Sequence, residues 1–453
     1  MEEKVLGITN EIKKGIYELE KEDRTILLLI RQDLYNAKDW KTLKEVNRIL
    51  LEMNYLEKQK KLDAFPTDLQ IEHTSFCNAR CIMCSHAFTS NHGAVHMSDD
   101  TLERIETLLP FCAHVTMHGV GEPFLHPGII PVLQRYSEYG IRLSGNTNGS
   151  YMTEELANTV NSVFDNLSVS CDAANARTYE IIRRGLRFET FLRNVQLLRS
   201  EAANVHLRMA VVVMRQNLQE MPDIVRLAAS LGFDDVFISD VTTSAFLQNE
   251  RDSIVFFPEE AKYYLSEALR TGKAAGIRVK VPENLSGSTE TDPDLHGKDG
   301  KERMSFNLQN SFRENSFYDE LEKRYKKFAH LSPFIDATQE NLLQSSEYRC
   351  EGICEHLLKR PFIDSGGNLF LCCINWLHRL GNIHETDFET IWNGELMQSF
   401  RQMFYEGVVP KYCVGCIFLR NKGMSERCRV LNIDSGFHRN SFDETAMQIF
   451  GTG

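Results

Sequence analysis

The stretch Cys77-Asn78-Ala79-Arg80-Cys81-Ile82-Met83-Cys84 places three thiols within eight residues, with the spacing C-x3-C-x2-C. Cysteine thiolates are the usual ligands of cubane iron–sulfur clusters, and so short a loop can wrap one face of such a cluster. The fourth iron then keeps an open coordination position, which a catalytic metal centre needs and a structural one lacks. The spacing therefore predicts a reactive cluster held by Cys77, Cys81 and Cys84.

A zinc knuckle is the alternative for three close cysteines. Structural zinc prefers four ligands, usually arranged as C-x2-C pairs, and only Cys81 and Cys84 form such a pair nearby. The loop by itself leaves zinc open, and the motifs at the ends of the later strands favour the cluster.

Short apolar runs alternate with helical segments from Asp68 onward, which predicts parallel β/α units with right-handed crossovers. Six units are visible, fewer than the eight of a closed barrel, so the predicted fold is α/β, a partial (β/α)6 TIM-like barrel. The cysteine loop directly follows the first strand, where catalytic loops lie in such barrels. The candidate strands are Leu69–His73, His114–His118, Ile141–Thr147, Asn166–Cys171, Val205–Met214 and Val236–Asp240.

Capping residues mark several helices of these units. Ser98 and Thr153 each precede two acidic residues, a favourable start for a helix. Asn217 and Gly232 bracket a predicted helix over Leu218–Leu231.

The regions on either side of the predicted barrel do not show this alternation of short apolar runs with helical segments. Residues 1–66 carry an amphipathic helical stripe, and we expect a helical cap on the barrel rather than a docking module. The barrel is predicted over 67–245. Residues 246–346 form a linker or lid, in which helices are expected from Pro258 to Ala275 and from Asn315 to Phe328, with a short strand at Ile277–Val281. A tail is expected over 431–453.

Composition excludes some classes of function. The 453 residues carry a net charge of −12, which disfavours nucleic-acid binding. The charged N-terminus does not resemble a signal peptide, and no apolar run is long enough to cross a bilayer. Twelve cysteines in a long chain with no export signal indicate metal or catalytic roles rather than disulfides. We therefore expect a soluble cytoplasmic protein without membrane partners.

A second cysteine group lies in residues 347–430, which are predicted to form a small C-terminal domain. Residues 362–371 read as a β-hairpin around Gly366-Gly367, and residues Asp387–Phe404 as a helix. Zinc stays open for this group, because separated thiols also occur in zinc ribbons. Cys112, Cys171 and Cys428 are predicted to be buried apolar residues instead. The members of the group are Cys350, Cys354, Cys372, Cys373, Cys413, Cys416 and Cys428.

With these motifs in this order, the chain resembles the radical SAM superfamily, whose signature is a C-x3-C-x2-C loop after the first strand. Gly119-Val120-Gly121-Glu122-Pro123 resembles the family's Gly-Gly-Glu-Pro motif after the second strand. Asn146-Thr147-Asn148-Gly149 ends the third strand, and Ser170-Cys171-Asp172 ends the fourth and resembles the family's Ser-x-Asp. The likeness covers about residues 68–245.

The resemblance implies contacts with S-adenosylmethionine (SAM). Glu122 would face the methionyl ammonium, and Asn146 and Asn148 would lie near the carboxylate. Ser170 and Asp172 would reach the ribose or the carboxylate. The loop residues Gly119, Gly121 and Pro123 would let the backbone approach the ligand, and Met83, which stands where an aromatic residue is common, would pack beside the adenine.

The C-terminal part resembles the SPASM/Twitch extension of the same superfamily. The resemblance rests on Cys354, the hairpin ending in Cys372-Cys373, Leu380-Gly381-Asn382-Ile383, Ile391-Trp392-Asn393-Gly394 and Cys413-Val414-Gly415-Cys416. It implies one auxiliary [4Fe–4S] cluster. Its ligands would be Cys354, Cys372, Cys413 and Cys416, with Cys350 as a substitute or additional ligand.

The function that these resemblances imply is reductive cleavage of SAM to a 5′-deoxyadenosyl radical, which abstracts a hydrogen atom from a substrate. A reducing partner such as flavodoxin or ferredoxin would supply the electron. We expect oxidative modification of a peptide or protein. The alternatives are a radical dehydrogenase acting on a sugar-type metabolite in natural-product biosynthesis and a non-catalytic iron–sulfur carrier or redox sensor. No catalytic side chain is assigned.

Overall fold

A central, largely parallel β-sheet organises the protein, whose structure is a computed structural model. The structure describes residues 2–14, 23–84, 95–241, 252–282, 335–336, 345–349, 353–373, 378–410 and 413. All six predicted barrel strands are present, and each is parallel to its neighbour in chain order. The strands are β1 (Asp68–Ile71), β2 (His114–Met117), β3 (Arg142–Thr147), β4 (Phe164–Ser170), β5 (His206–Val213) and β6 (Asp235–Asp240).

A seventh parallel strand, β7 (Arg278–Lys280), continues the sheet beyond β6, as the sequence predicted for residues 277–281. The alternation of burial is clearest along β5, where every second side chain from Leu207 to Val213 is buried. Because side chains alternate between the two faces of a strand, the buried ones lie on one face of β5 and the half-buried ones on the other. The described helices before and between these strands are α1 (Glu2–Lys14), α2 (Arg24–Asn36), α3 (Trp40–Leu56), α4 (Asp99–Glu106), α5 (Ile129–Glu138), α6 (Glu154–Val163), α7 (Ala176–Ile182), α8 (Phe188–Glu201), α9 (Met221–Ser230) and α10 (Pro258–Ala275).

The predicted helix starts are confirmed. The Ser98 hydroxyl accepts a hydrogen bond from the amide of Thr101, and Thr153 accepts one from the amide of Leu156. The helix predicted over Leu218–Leu231 is instead a 3₁₀ turn, Leu218–Glu220, followed by α9. Pro222 explains the difference, because it has no amide hydrogen to donate to the Leu218 carbonyl and its ring would crowd that oxygen.

The N-terminal helix α3 is joined to the segments that enter the barrel, and the interpretation of residues 1–66 as a cap stays a prediction. Asn47 on α3 is fully buried and binds the Phe65 backbone twice, through its amide nitrogen and its carbonyl oxygen, at 2.9 Å each. Its amide also reaches the Phe111 carbonyl at 3.4 Å. One buried side chain thus joins α3 to the segment before β1 and to the segment before β2.

The C-terminal hairpin is confirmed as β10 (Phe362–Ile363) and β11 (Asn368–Phe370), with Gly367 at φ +78° in the turn. The sequence predicted a small C-terminal domain over residues 347–430, and β10 of this region runs parallel to β1 and extends the barrel sheet. The remaining strands are β8 (Ile335–Asp336), β9 (Ser345–Arg349), β12 (His378–Asn382) and β13 (Val408–Pro410), the last paired with β9. Over the described residues the order of the main sheet is β7-β6-β5-β4-β3-β2-β1-β10-β11-β12-β8.

The helix predicted over Asp387–Phe404 is two helices, α12 (Phe388–Trp392) and α13 (Glu395–Tyr405), which come after the short α11 (Glu355–Leu358). The break falls at Asn393-Gly394. There the Asn393 side chain binds the Leu62 amide at 2.9 Å and the Leu62 carbonyl at 3.0 Å. This tertiary contact holds the chain at a point where the helix would otherwise continue.

Some predictions lie outside the described residues, among them the helix Asn315–Phe328 and the tail 431–453. Within the described ranges, none of the helices has the length and apolar character required to cross a membrane.

Candidate functional site

The cysteine loop leaves the carboxyl end of β1 and lies against the turn after α7. The amide of Arg80 donates to the Arg184 carbonyl at 2.8 Å, and the amide of Ile82 donates to the Ile182 carbonyl at 3.0 Å. Gly185, at φ +92°, lies so close to the loop that an added Cβ would come within 2.8 Å of the Asn78 carbonyl oxygen. These backbone contacts fix the loop at the edge of the sheet where the other strand-end motifs also lie.

The thiols of this loop are partly buried, and the Cys77 sulfur has hydrogen-bond donors that suit a metal-bound thiolate. Burial raises the pKa of Cys77 to about 11 and that of Cys81 to about 12, so both thiols hold their protons in the absence of metal. Iron replaces those protons when a thiolate-bound cluster forms. The Cys77 sulfur also accepts from the Ala79 amide at 3.5 Å and from the Asn148 side-chain amide at 3.8 Å. Such donors stabilise a thiolate, and the donor set fits a [4Fe–4S] cluster.

No three His, Cys, Asp or Glu side chains converge on one point as ligands of a single metal ion, as far as the structure describes the chain. A cubane cluster does not require such convergence, because each cysteine binds a different iron.

The glycines of the 119–123 loop are needed for contact with the segment that enters the cysteine loop. A Cβ on Gly119 would lie 2.2 Å from the Glu72 carboxylate, and one on Gly121 would lie 2.1 Å from the Thr74 carbonyl oxygen. Only glycine permits this approach. The sequence analysis assigned these glycines to contact with the ligand, and that role stays a prediction. The close approach to Glu72 and Thr74 is a second reason for glycine at both positions.

Glu122 links three of the predicted motifs. Its carboxylate, 3% exposed, accepts hydrogen bonds from the Thr147 hydroxyl at 2.7 Å and from the Asn148 amide at 2.6 Å. The Asn148 side chain in turn donates to Asn78 at 3.0 Å within the cysteine loop. Burial raises the pKa of Glu122 to about 7, against the lowering effect of these hydrogen bonds. Pro123 begins a 3₁₀ turn immediately after it.

Asp172 is engaged inside the protein. It is fully buried, and its carboxylate lies 2.8 Å from the Val212 amide and 2.7 Å from the Arg183 guanidinium. Sequence reasoning did not find Arg183, because an arginine after a helix carries no local signal of a buried partner. Ser170, by contrast, is half-buried at the end of β4. The predicted contacts of both residues with SAM stay predictions.

The remaining predicted contacts lie around the same edge. Asn146 is exposed on β3, and its amide lies 3.2 Å from the His118 ring. Met83 packs at the margin of a small apolar cluster formed by Ile82, Ile182, Met214 and Val241. Met214 and Val241 directly follow β5 and β6, so this cluster lies at the strand ends. The predicted contact of Met83 with the adenine stays a prediction.

Histidines near the first loops have structural partners. His73 is buried and hydrogen-bonds the Tyr136 hydroxyl at 2.7 Å, and burial lowers its pKa to about 3. His96 contacts the Thr74 hydroxyl at 2.8 Å. His86 and His92 lie outside the described residues.

The buried roles of Cys112 and Cys171 are confirmed. Both are fully buried, and their thiols donate to the carbonyls of Pro66 and Ala173, each at 3.2 Å.

The second cysteine group is described only in part. Cys354 caps α11, Cys372 follows β11 and is 7% exposed, and Cys413 packs against the core. Cys350, Cys416 and Cys428 lie outside the described residues. The auxiliary ligand set therefore stays a prediction.

Two protein-family models match this chain, one over the barrel region and one over the C-terminal cysteine region. The model of the radical SAM superfamily matches residues 71–228, and that of the SPASM iron–sulfur cluster-binding domain matches residues 354–417. The chain carries a radical SAM domain and a SPASM domain. SAM, a SAM-binding [4Fe–4S] cluster and an auxiliary iron–sulfur cluster are accordingly its cofactors.

Sequence relatives match a little over a third of the chain. The AdoMet-dependent heme synthase of Methanosarcina barkeri is 29% identical over 165 residues, which are 36% of this chain and 46% of that protein. The mycofactocin maturase MftC of Mycolicibacterium smegmatis is 26% identical over 178 residues, 38% of this chain and 44% of that protein. The chain thus spans about half the length of these curated relatives.

Two solved structures share the fold over a larger part of the chain. SuiB of Streptococcus suis, bound to its precursor peptide SuiA, has a TM-score of 0.50 at 14% identity and covers 80% of this chain and 72% of its own. The structure of native anSMEcpe with bound AdoMet has a TM-score of 0.50 at 18% identity and covers 85% of this chain and 96% of its own. At these identities the likeness concerns the fold.

Proposed function

We propose that this protein is a radical SAM oxidoreductase that abstracts a hydrogen atom from a peptide or protein and modifies it oxidatively. The observation that carries the proposal is the contact chain from Glu122 through Asn148 to Cys77 and Asn78. It brings the second and third strand-end motifs onto the cysteine loop, so one ligand can touch all three.

The cluster and SAM, when bound and reduced, supply a 5′-deoxyadenosyl radical. Cys77, Cys81 and Cys84 would hold the cluster and leave one iron for the amino and carboxylate groups of SAM. Glu122 would accept the ammonium, and Asn148 would orient the carboxylate while donating to the Cys77 sulfur. The apolar cluster beside Met83 would exclude water from the adenosyl end.

The SPASM part would take an electron from the substrate. Four thiolates from Cys354, Cys372, Cys413 and Cys416 leave no open iron, which favours electron acceptance over substrate binding at that cluster. Removing an electron after a hydrogen atom completes a two-electron oxidation. A reducing partner such as a flavodoxin or ferredoxin would supply the electron for SAM cleavage.

The peptide substrate rests on family membership and on the maturase MftC among the relatives. The AdoMet-dependent heme synthase of Methanosarcina barkeri, which matches a similar share of the chain, is named for a different activity. A short precursor-peptide gene beside the gene for this chain would support a peptide, and sugar-biosynthesis genes there would favour a metabolite.

The core of the proposal is tested by 5′-deoxyadenosine formation. Reconstituted protein is reduced with SAM under anaerobic conditions, and the product is quantified by liquid chromatography and mass spectrometry. Wild type and Cys112→Ala, a buried cysteine distant from the loop in sequence, are expected to form it, whereas Cys84→Ala is not. Equal yields from wild type and Cys84→Ala would overturn the proposal.

A further inference from the structure

The Glu72 carboxyl lies between two loops that come from opposite parts of the chain. It directly follows β1 and is 6% exposed. One oxygen accepts from the Val120 amide at 2.6 Å, in the loop that contains Glu122. The other accepts from the Ser365 hydroxyl at 3.2 Å, in the turn between β10 and β11.

The contact with the 119–123 loop is tightly fitted. An added Cβ on Gly119 would lie 2.2–2.5 Å from three atoms of the Glu72 side chain. On the same strand, the Gln70 side chain donates to the His118 carbonyl at 3.1 Å. The loop therefore cannot shift toward or away from β1 without disturbing Glu72.

The contact with the hairpin is equally well defined. The Glu72 amide donates to the Ile363 carbonyl at 2.9 Å, which continues the β1–β10 pairing. Asp364 holds the turn by accepting from the Gly366 amide at 2.9 Å and from the Asn368 amide at 2.8 Å. Beyond this turn, β11 leads within two residues of its end to Cys372.

We infer that Glu72 is a positioning residue that couples the SAM-binding loop to the hairpin of the auxiliary cluster. A buried carboxyl that accepts from both loops holds them at one separation, because losing either donor removes a hydrogen bond from an oxygen that water does not reach. SAM bound at the 119–123 loop therefore steadies the hairpin, and the hairpin steadies the SAM loop by the same factor. The inference rests on the proposed binding of SAM at Glu122.

The test removes the hydroxyl donor of the hairpin, keeps its backbone, and leaves every predicted SAM contact intact. The variant is Ser365→Ala, and its matched control is Ser144→Ala, a half-buried serine on β3 whose hydroxyl lies 3.4 Å from that of Thr116. SAM affinity is measured anaerobically on the reconstituted protein. We expect Ser365→Ala to weaken SAM binding about three- to tenfold, the effect of one ordinary intramolecular hydrogen bond, and Ser144→Ala to leave it unchanged.

A double-mutant cycle that combines Ser365→Ala with Glu72→Ala shows whether Ser365 affects SAM binding through Glu72 or independently of it. We expect Ser365→Ala to have no further effect on SAM affinity in the Glu72→Ala background. Equal affinity of wild type and Ser365→Ala, or an undiminished effect in that background, would overturn the inference.

Hydrogen exchange in the absence of SAM tests the coupling of the 119–123 loop with the β10–β11 turn directly. It applies even if Glu72→Ala does not fold or wild type does not bind SAM. We expect faster exchange of the Val120 amide in Ser365→Ala than in wild type or Ser144→Ala, and unchanged exchange there would overturn the inference. Failure of wild type to bind SAM would instead count against the proposed function, so the two failures are distinguishable.

Discussion

Two carboxyls at the edge of the barrel are buried with different partners. Glu122 is held by the Thr147 hydroxyl and by backbone amides, whereas Asp172 lies 2.7 Å from the Arg183 guanidinium. Burial raises the pKa of both acids. The surroundings of Glu122 can accommodate a neutral carboxyl group. Removal of the Arg183 guanidinium, by contrast, would leave the Asp172 carboxylate without its opposite charge.

Arg183→Met is expected to lower the free energy of unfolding by about 3–5 kcal/mol, because it leaves the Asp172 charge buried without its partner. The measurement is urea unfolding of the anaerobic protein. Arg142→Met is the control, since Arg142 and its partner Asp165 are each 46% exposed and such pairs contribute about 0–1 kcal/mol. Equal losses in the two variants would contradict the account.

Glu122→Gln is expected to gain stability relative to wild type as the pH rises from about 4.5 to about 7. Over this window the unfolded carboxyl releases its proton while the folded one keeps it, so wild type loses stability with rising pH. The expected change is about 1–3 kcal/mol, measured by urea unfolding at several pH values. Glu154→Gln, at an exposed residue of α6, is the control, and a pH-independent difference between Glu122→Gln and wild type would contradict the prediction.

Single residues show where sequence reasoning succeeds and where it stops. Cys112 and Cys171 could be assigned to the core because they lie outside any ligand-like spacing. Glu72 and Arg183 could not be found in this way. The partner of Glu72, Val120, lies 48 residues away along the chain, and the partner of Arg183, Asp172, lies 11 residues away. Spacing reports only what is close in sequence.

At the scale of elements, long-range contacts decide how the C-terminal part joins the barrel. The six barrel strands were predictable from short apolar runs that alternate with helical segments along the chain. The pairing of β10 with β1 was not, because the register of two strands almost 300 residues apart leaves no local pattern. The break between α12 and α13 has the same origin, in the contact of Asn393 with Leu62.

Asn393→Ala is expected to detach the Leu62 segment from the α12–α13 break. It removes hydrogen bonds to both the amide and the carbonyl of Leu62 and is expected to cost about 1–3 kcal/mol. Hydrogen exchange at the Leu62 amide should become faster. Asn158→Ala, which removes one exposed intrahelical contact with the Glu154 carbonyl, is the control, and similar exchange in both variants would count against this role.

At the scale of the whole molecule, the sheet extends continuously from the radical SAM strands to the SPASM hairpin over the described residues. The likeness to anSMEcpe covers 85% of the chain, so it extends beyond the barrel. The two predicted cluster sites are thus carried on one framework.

Iron content distinguishes the auxiliary ligands from their neighbours. Two four-iron clusters predict about eight irons per chain, and Cys413→Ala is expected to retain about half. Cys373→Ala is the matched control, because the adjacent Cys372 is the predicted ligand and full iron content should remain. Loss of iron in Cys373→Ala with none in Cys413→Ala would show that the ligand set is wrong.

The central claim is that Cys77, Cys81 and Cys84 hold a cluster whose open iron binds SAM. Electron paramagnetic resonance of the reduced Cys413→Ala protein tests it most directly, since the barrel cluster is expected to dominate that spectrum. The account predicts that adding SAM changes the g-values of the cluster signal. An intact cluster whose spectrum is the same with and without saturating SAM would contradict it.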